Sequence, residues 1–524
     1  MIKRLLSILV ALVLIVTALA ACGTSSLSDQ GTAASTAAPA ATSAATTAAT
    51  TADANAVPAE TAKLKWVFYG DESNRMKDFV QNELKDRLKK DLNIELEVQY
   101  LSWNDFGGGK SDLMLASGED FASYDASLPS HVAKGYYADV TDALAKYGDG
   151  IKKVIDPNAW DGVTIKGRMY GIPMGNKPNA SEYYSIMVRQ DLLEEVGMTE
   201  IKTIDELEKA CALVKAKHPD YYLDCDASKL EKYLNAAYSK MSISSLDTFI
   251  AHNFGAAVVD ESTKDDKVIS WFESPEFKSV CQIAQRWVAS GIIPKESITN
   301  QTQIDAAWGA GKGFFAAGSA SRPMDLLPAM QKAVPTAKLK NYFINDDGRP
   351  KVNQWFQGIC TFVSAASKNV DRYVQFLSYI ETNADNFNFL VYGVQGKDYD
   401  LDGGKIVPKS TDALFDEWAF ANIPAGLKLY PKSASDDAIN AYKHWNDGSI
   451  ASKAAGFLMN MEPVKTEQAQ LSAIINEYGT PMMMGFLPYD KNYDTFIKKL
   501  KAAGLDKYVA EYQKQFTAYK ATKK

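Results

Sequence analysis

The side chains of this 524-residue sequence that are able to do covalent chemistry are few, and their spacing withholds the usual constellations. The four histidines are His131, His218, His252 and His444. None falls into the HExxH or HxxxH spacing that puts zinc-binding imidazoles on one helix face. A nucleophile elbow needs glycine on both sides of its serine, and Gly318-Ser319-Ala320-Ser321-Arg322 ends in arginine. Gly109-Lys110-Ser111 is close to the end of a phosphate loop, but Asn104 stands where the leading glycine belongs. The glycine-rich run Gly309 to Gly313 adjoins a predicted helix instead of following a strand. Asp400-Leu401-Asp402-Gly403 starts like a calcium loop, yet Thr411 occupies the place of the bidentate Glu. Asp71-Glu72 and Glu119-Asp120 remain as acid–base pairs; a glycosidase would need its carboxylates roughly 5–9.5 Å apart in space. The reading therefore expects no catalytic residue, no metal and no cofactor.

Composition narrows the partners. Lys plus Arg is 57 against 64 for Asp plus Glu, a formal charge of −7, the wrong sign for neutralising phosphate backbones, so no nucleic acid partner is expected. Hydrophobic residues make up 46% and charged residues 23%, ordinary for a globular chain of two or more lobes. Cys211, Cys225, Cys281 and Cys360 show no CxxC spacing. They are read as buried thiols, with a Cys211–Cys225 disulfide as the alternative.

The first residues bear on location. Lys3 and Arg4 precede an apolar run, and Leu19-Ala20-Ala21-Cys22 closes it with small residues. Residues 1–21 are read as a signal peptide. The tetrapeptide resembles the lipobox of bacterial lipoproteins, which implies a diacylated Cys22 held on a membrane by two acyl chains. Residues 23–62 hold 15 Ala, 9 Thr and 5 Ser, with no hydrophobic period. The stretch 22–62 is thus read as lipidated cysteine plus flexible tether, with a reach of about 35 Å.

The body that must position any site alternates strand and helix. Leu64 to Tyr69 is β-rich and ends at Gly70-Asp71, a turn signal. Met76 to Leu92 repeats apolar residues at helical spacing, and Ile94 to Leu101 reads as the next strand. That order implies a parallel α/β layer with ligand groups at the carboxyl ends of its strands. Ser274 to Ser290 is an amphipathic helix with Ser274 as N-cap, Pro275 first inside and Gly291 as stop. Lys368 to Thr382 is another helix, and Tyr493 to Tyr519 gives two more divided by Gly504.

Several segments carry a family resemblance. Trp66 to Asp71, Leu113-Met-Leu-Ala-Ser-Gly-Glu-Asp120, Gly135 to Leu144, Gly167 to Pro173 with Tyr184 to Leu192, and Trp308 to Gly318 run through the body. Tyr392 to Tyr399 and Gly456 to Thr466 follow in the C-terminal part. Together they resemble the extracellular solute-binding proteins of ABC importers, a family that includes maltose-binding protein and lipoproteins of the LipO/LplA kind. The resemblance implies a two-lobed, type II periplasmic-binding-protein-like α/β fold closing on a ligand. It implies lobe one at 64–180 plus 340–395, and lobe two at 181–339 plus 396–524.

It also implies the candidate ligand residues, at positions matching the family's ligand-facing loops: Tyr69, Asp71, Glu72, Ser127, Glu182, Ser319, Arg322, Trp355, Trp418 and Asn422. Bland roles compete with these. Trp66 points into the core by alternation, and Trp271, Trp287 and Trp445 read as packing residues. For Trp103, Trp308, Trp355 and Trp418, packing and ring-stacking stay open, and Asp71 has turn-holding as its alternative. The implied function is a monomeric, lipid-anchored protein that captures a carbohydrate, taken as an oligosaccharide, and delivers it to a membrane permease. A peptide or other small solute is the alternative ligand, and a surface glycosidase the alternative class. Relatives that bind alginate carry a calcium loop in lobe two; His218 to Lys229 lacks its D-x-D-x-D-G pattern.

Overall fold

The computed structural model describes residues 57–522, apart from positions within 103–108, 126–127, 175–184, 228–255, 261–264, 345–358, 411–425 and 452–458. Cys22, the signal peptide and nearly all of the tether lie outside the described residues. Nine strands build the two larger sheets among the described residues. They are β1 Ala62–Tyr69, β2 Ile94–Leu101, β3 Ala122–Asp125, β4 Ile172–Pro173, β5 Ser185–Arg189, β6 Tyr222–Asp224, β7 Gly313–Gly318, β8 Leu339–Tyr342 and β9 Cys360–Val363.

The first sheet has the order β2-β1-β3-β9-β4. β1 runs parallel to β2 along its whole length, from Ala62↔Ile94 to Tyr69↔Leu101, and parallel to β3. β9 is antiparallel to both β3 and β4. The parallel layer expected from the strand–helix–strand order therefore holds for three strands, and the sheet as a whole is mixed. Trp66 is buried, ringed by Phe68, Tyr373, Phe376 and Phe420. Tyr373, from the helix Val370–Glu381, clamps β1 through its hydroxyl: it accepts from Lys65 N at 2.9 Å and donates to Lys65 O at 3.0 Å.

The helix expected over 76–92 is interrupted by one π-turn, Val80–Leu84, between Asn74–Phe79 and Lys85–Leu92. There Glu83 meets Arg75 at 3.1 Å, and Arg75 also holds Asp398 at 2.6 Å. Asn93, left-handed at φ 50°, ends this helix and donates to the carbonyls of Pro58 and Ala59 at 3.0 Å. Ala62 N donates to Asn93 O as well, so the last residues assigned to the tether belong to the folded body.

The second sheet has the order β8-β5-β7-β6, with β7 antiparallel to β5 and parallel to β6. Its core takes Phe277, Cys281, Ala284 and Trp287 from the helix Pro275–Ser290. That helix is capped as the sequence expects: Ser274 Oγ accepts from Phe277 N, and Gly291 adopts φ 73°. The C-terminal helices Tyr489–Ala502 and Leu505–Thr522 pack onto the same core through Phe496, Leu500, Tyr508, Tyr512 and Phe516, and Gly504 divides them. The first starts four residues earlier than its periodicity suggests. No helix among the described residues is long and apolar enough to cross a membrane.

Two stretches sit elsewhere than the sequence order implied. β8, counted from residue 340 with lobe one, pairs with β5 of the second sheet. Phe415 and Phe420, counted with lobe two, pack on Phe68 at 5.0 and 5.1 Å, and Phe420 also on Trp66 at 5.2 Å. The order of segments carried no record of these aromatic contacts. Tyr430, Tyr442 and Trp445 form a further cluster that touches Ala320 and Met324 on one side and Phe387 and Val391 on the other. Trp271, Trp287 and Trp445 are core residues as expected, and Trp308 joins them, buried with Ile304 and Met330. The Cys211–Cys225 disulfide does not form, and both residues are buried thiols.

Candidate functional site

Chain order and strand pairing define which edges of the two sheets are connected. β1, β2 and β3 end at one edge of the first sheet, where β4 also ends and β9 begins, since Cys360 lies opposite both Asp125 and Pro173. In the second sheet β7 ends at Gly318 opposite Ser185, the start of β5, and β8 ends at Tyr342 opposite Ile186. The chain leaves the first sheet at Pro173 and enters the second at Ser185; it leaves again after Tyr342 and returns at Cys360. Both crossings join the same pair of edges, those holding the carboxyl ends of the parallel strands. Ligands of open α/β sheets sit outside such ends.

On the first edge, Gly70 takes φ 114°, and its N–H donates to Leu101 O at 2.9 Å. A residue with a Cβ rarely adopts that conformation, so the turn after β1 is set by this glycine. Tyr69 is buried among Val67, Phe121, Tyr137 and Phe362. Asp71 is exposed, and Glu72 faces Lys77 at 3.4 Å. Ser73 then caps the next helix by accepting from Met76 N at 3.0 Å.

On the second edge the packing is tighter. A Cβ on Gly318 would lie 2.5 Å from Asn341 Oδ1 and 2.6 Å from Ser185 Oγ, so any side chain there must displace them. Asn341 Nδ2 donates to Ser319 O at 2.8 Å, while Asn341 Oδ1 and Ser185 Oγ are buried without a hydrogen-bond partner among the described residues. Ser319 is itself buried. Arg322 opens the helix Arg322–Ala333 and donates from Nη1 to Asp226 Oδ2 at 3.1 Å. Asp226 lies just past β6, and its N–H donates to Oδ1 of the fully buried Asp224 at 2.9 Å.

Of the ten candidates, the structure thus places Tyr69, Asp71 and Glu72 on the first edge, and Ser319 and Arg322 on the second. Ser127, Glu182, Trp355, Trp418 and Asn422 lie outside the described residues, as does Trp103. Sequence reasoning missed Ser185, Asp224, Asp226 and Asn341. The available signal was Asp224-Cys225-Asp226, two carboxylates close together just after Tyr221-Tyr222-Leu223; Asn341 and Ser185 carried none, since their place at this edge arises from cross-strand register.

The groups at these edges offer hydrogen bonds of both polarities. Burial pushes the thiols of Cys211 and Cys225 up, and the Asp224 carboxylate adds to this, which removes them as nucleophiles. His131 lies between Asp112 Oδ1 and the Tyr137 hydroxyl, each at 2.9 Å. Among the described residues no group of three His, Cys, Asp or Glu is arranged to hold a metal ion. Asp400 to Asp402 lie in the first strand of a hairpin that turns at Gly403-Gly404, with Asp400 paired to Lys409 at 3.1 Å and Asp402 to Lys432 at 2.8 Å.

Two α/β sheets joined twice through their strand-end edges define the type II, two-lobed binding fold. The chain belongs to the bacterial extracellular solute-binding proteins, the family that its residues 83–393 match. Residues 453–521 match a domain of unknown function, DUF3502. The chain is 25% identical over 476 residues to a carbohydrate ABC transporter substrate-binding protein of Streptococcus pneumoniae serotype 4, covering 88% of this chain and 91% of the relative. It is 20% identical over 407 residues to the polygalacturonan/rhamnogalacturonan-binding protein YtcQ of Bacillus subtilis, covering 75% and 78%. Its fold is similar to the crystal structure of the N-glycan transport solute-binding protein NgtS of Streptococcus pneumoniae, with TM-score 0.75, 23% identity, and 88% of this chain and all of that one covered.

Proposed function

We propose that this protein captures an oligosaccharide between its two sheet edges and delivers it to the permease of an ABC importer. The observation that carries this reading is the relationship, over nearly the whole of both chains, to a carbohydrate ABC transporter substrate-binding protein. The edges are suited to such a ligand. Asp71, Ser185, Ser319, Arg322 and Asn341 supply planar and hydroxyl groups of both polarities at strand ends, and sugar hydroxyls need donors and acceptors together. Trp355, Trp418, Asn422, Glu182 and Ser127 are proposed as ligand residues from the sequence, with the tryptophans as stacking faces for sugar rings.

In this reading Cys22 is diacylated after removal of residues 1–21 and holds a monomer at the extracytoplasmic face of the membrane, with the Ala/Thr/Ser stretch as tether. One lobe is built on the first sheet together with the segment containing Phe415 and Phe420, the other on the second sheet with the C-terminal helices. The protein binds without turnover.

A thermal-shift screen against oligosaccharides tests the reading. A ligand at 100 times its Kd adds about 2.7 kcal/mol of stability, so a hit raises the melting temperature and is recovered chemically unchanged. Failure of every oligosaccharide, with a shift from peptides, moves the ligand class to peptide. Steady release of shortened sugars identifies a glycosidase instead.

A further inference from the structure

We infer that the Arg322–Asp226 pair makes this site selective for neutral sugars over uronates; the inference rests on the carbohydrate reading above and specifies its substrate class. Arg322 is a cationic side chain placed at the second sheet's strand ends, at the start of the helix that follows β7, and a cation there is what an acidic sugar would seek. It is already engaged: Nη1 lies 3.1 Å from Asp226 Oδ2, with Arg322 partly exposed and Asp226 largely buried. Asp226 is fixed in turn by its N–H to Asp224 Oδ1. A uronate carboxylate approaching Arg322 therefore meets the Asp226 carboxylate at hydrogen-bonding distance from the same guanidinium, with Asp224 behind it. Like charges so close cost affinity where water is partly excluded.

A neutral sugar hydroxyl meets the opposite situation. It accepts from a guanidinium N–H and donates to a carboxylate oxygen in one geometry, so adjacent groups of opposite charge read a hydroxyl, or two vicinal ones, better than either group alone. The neighbouring strand end adds Ser185 Oγ, fully buried and without a hydrogen-bond partner among the described residues, 2.6 Å from where a Gly318 Cβ would stand. This hydroxyl is neutral and serves either polarity. On the first sheet the group at the end of β1 is the exposed carboxylate of Asp71, and Glu72 is matched by Lys77. These strand ends thus carry carboxylates at Asp71, Glu72, Asp224 and Asp226, with the Arg322 guanidinium paired to Asp226.

The test is calorimetric titration of the full-length protein with neutral oligosaccharides of three to five residues (mannose-, glucose- and N-acetylglucosamine-based) and with oligogalacturonates of the same lengths. Wild type should bind a neutral oligosaccharide at least about tenfold more tightly than any oligogalacturonate. Asp226→Asn should weaken the neutral ligand roughly 10- to 150-fold, the range for loss of a hydrogen bond to a charged group. It should also tighten oligogalacturonate, because the carboxylate that repels it from Arg322 is then neutral, and 0.5 M NaCl should diminish that gain. Arg322→Gln should weaken the neutral ligand without any gain for the acidic one. Apo melting of both variants, measured beside binding, separates loss of recognition from loss of fold. An oligogalacturonate preference in wild type, or an unchanged neutral-to-acidic ratio in a folded Asp226→Asn protein, overturns the inference and leaves the carbohydrate reading standing. Absence of binding by every oligosaccharide of both series removes the carbohydrate reading, and this inference with it.

Discussion

The two strand-end edges are built by opposite means. At the end of β1 the chain turns on one glycine, Gly70, buries Tyr69 in the core and leaves Asp71 exposed. At the end of β7 the glycine is needed for close approach, with Asn341 and Ser185 pressed against Gly318, and the polar groups beyond it are held by other side chains. The first edge places its polar groups by a local turn, the second by contacts between residues as far apart in sequence as Asp226 and Arg322. A substitution on the first edge should therefore act on one side chain, whereas one on the second should disturb several.

The largest effect expected concerns the platform beneath the first edge rather than the edge itself. Trp66→Ala removes a fully buried ring surrounded by four others and should cost about 3–5 kcal/mol of stability in chemical denaturation. A loss under about 1 kcal/mol would show that the first lobe is not organised around it. Next, Asp398→Asn tests the tie between the C-terminal segment and the first lobe. Burial works against the Asp398 carboxylate, but the Arg75 guanidinium and the Val394 N–H outweigh it and hold it below the usual carboxylate range. The Glu83 carboxylate is held low as well, with burial opposing Lys397 and Arg75. A depressed folded-state value means stability that is present above the unfolded-state pKa, near 4, and is lost as pH falls through the folded value. Wild type should lose stability below about pH 4. Asp398→Asn should flatten that acid limb and cost on the order of 2 kcal/mol at pH 7; an acid limb of unchanged steepness would contradict this origin.

The two edges then separate directly. Gly318→Ala forces Asn341 or Ser185 to move and should cost about 1–3 kcal/mol of apo stability together with ligand affinity. Asp71→Ala should leave apo stability within about 0.5 kcal/mol while still weakening ligand. If both variants show the same apo melting, the contrast between local and long-range construction is wrong.

What could be read in advance follows the same division. The helix Pro275–Ser290 was legible to the residue because cap, first-turn proline and terminal glycine are all local signals. The strand β2 was legible from its alternation, and the burial of Trp66 from its place in β1. The π-turn at Val80–Leu84 was not, since apolar spacing tolerates one wide turn and the ion pairs there reach Asp398 and Lys397, more than 300 residues away. Nor was the docking of Phe415 and Phe420 on the first sheet, because an aromatic residue in an irregular segment does not announce its partner. At the site, Arg322 and Ser319 came from resemblance, whereas Asp226 and Asn341 emerge only once β6, β7 and β8 are set side by side.

The central claim is that these two edges close on a bound oligosaccharide that leaves unchanged. Small-angle scattering of the purified protein, with and without a saturating oligosaccharide identified by thermal shift, tests it most directly. The radius of gyration should fall on binding, and the sugar recovered afterwards should be intact. An unchanged radius at saturation, or a sugar recovered in shortened form, would contradict the account.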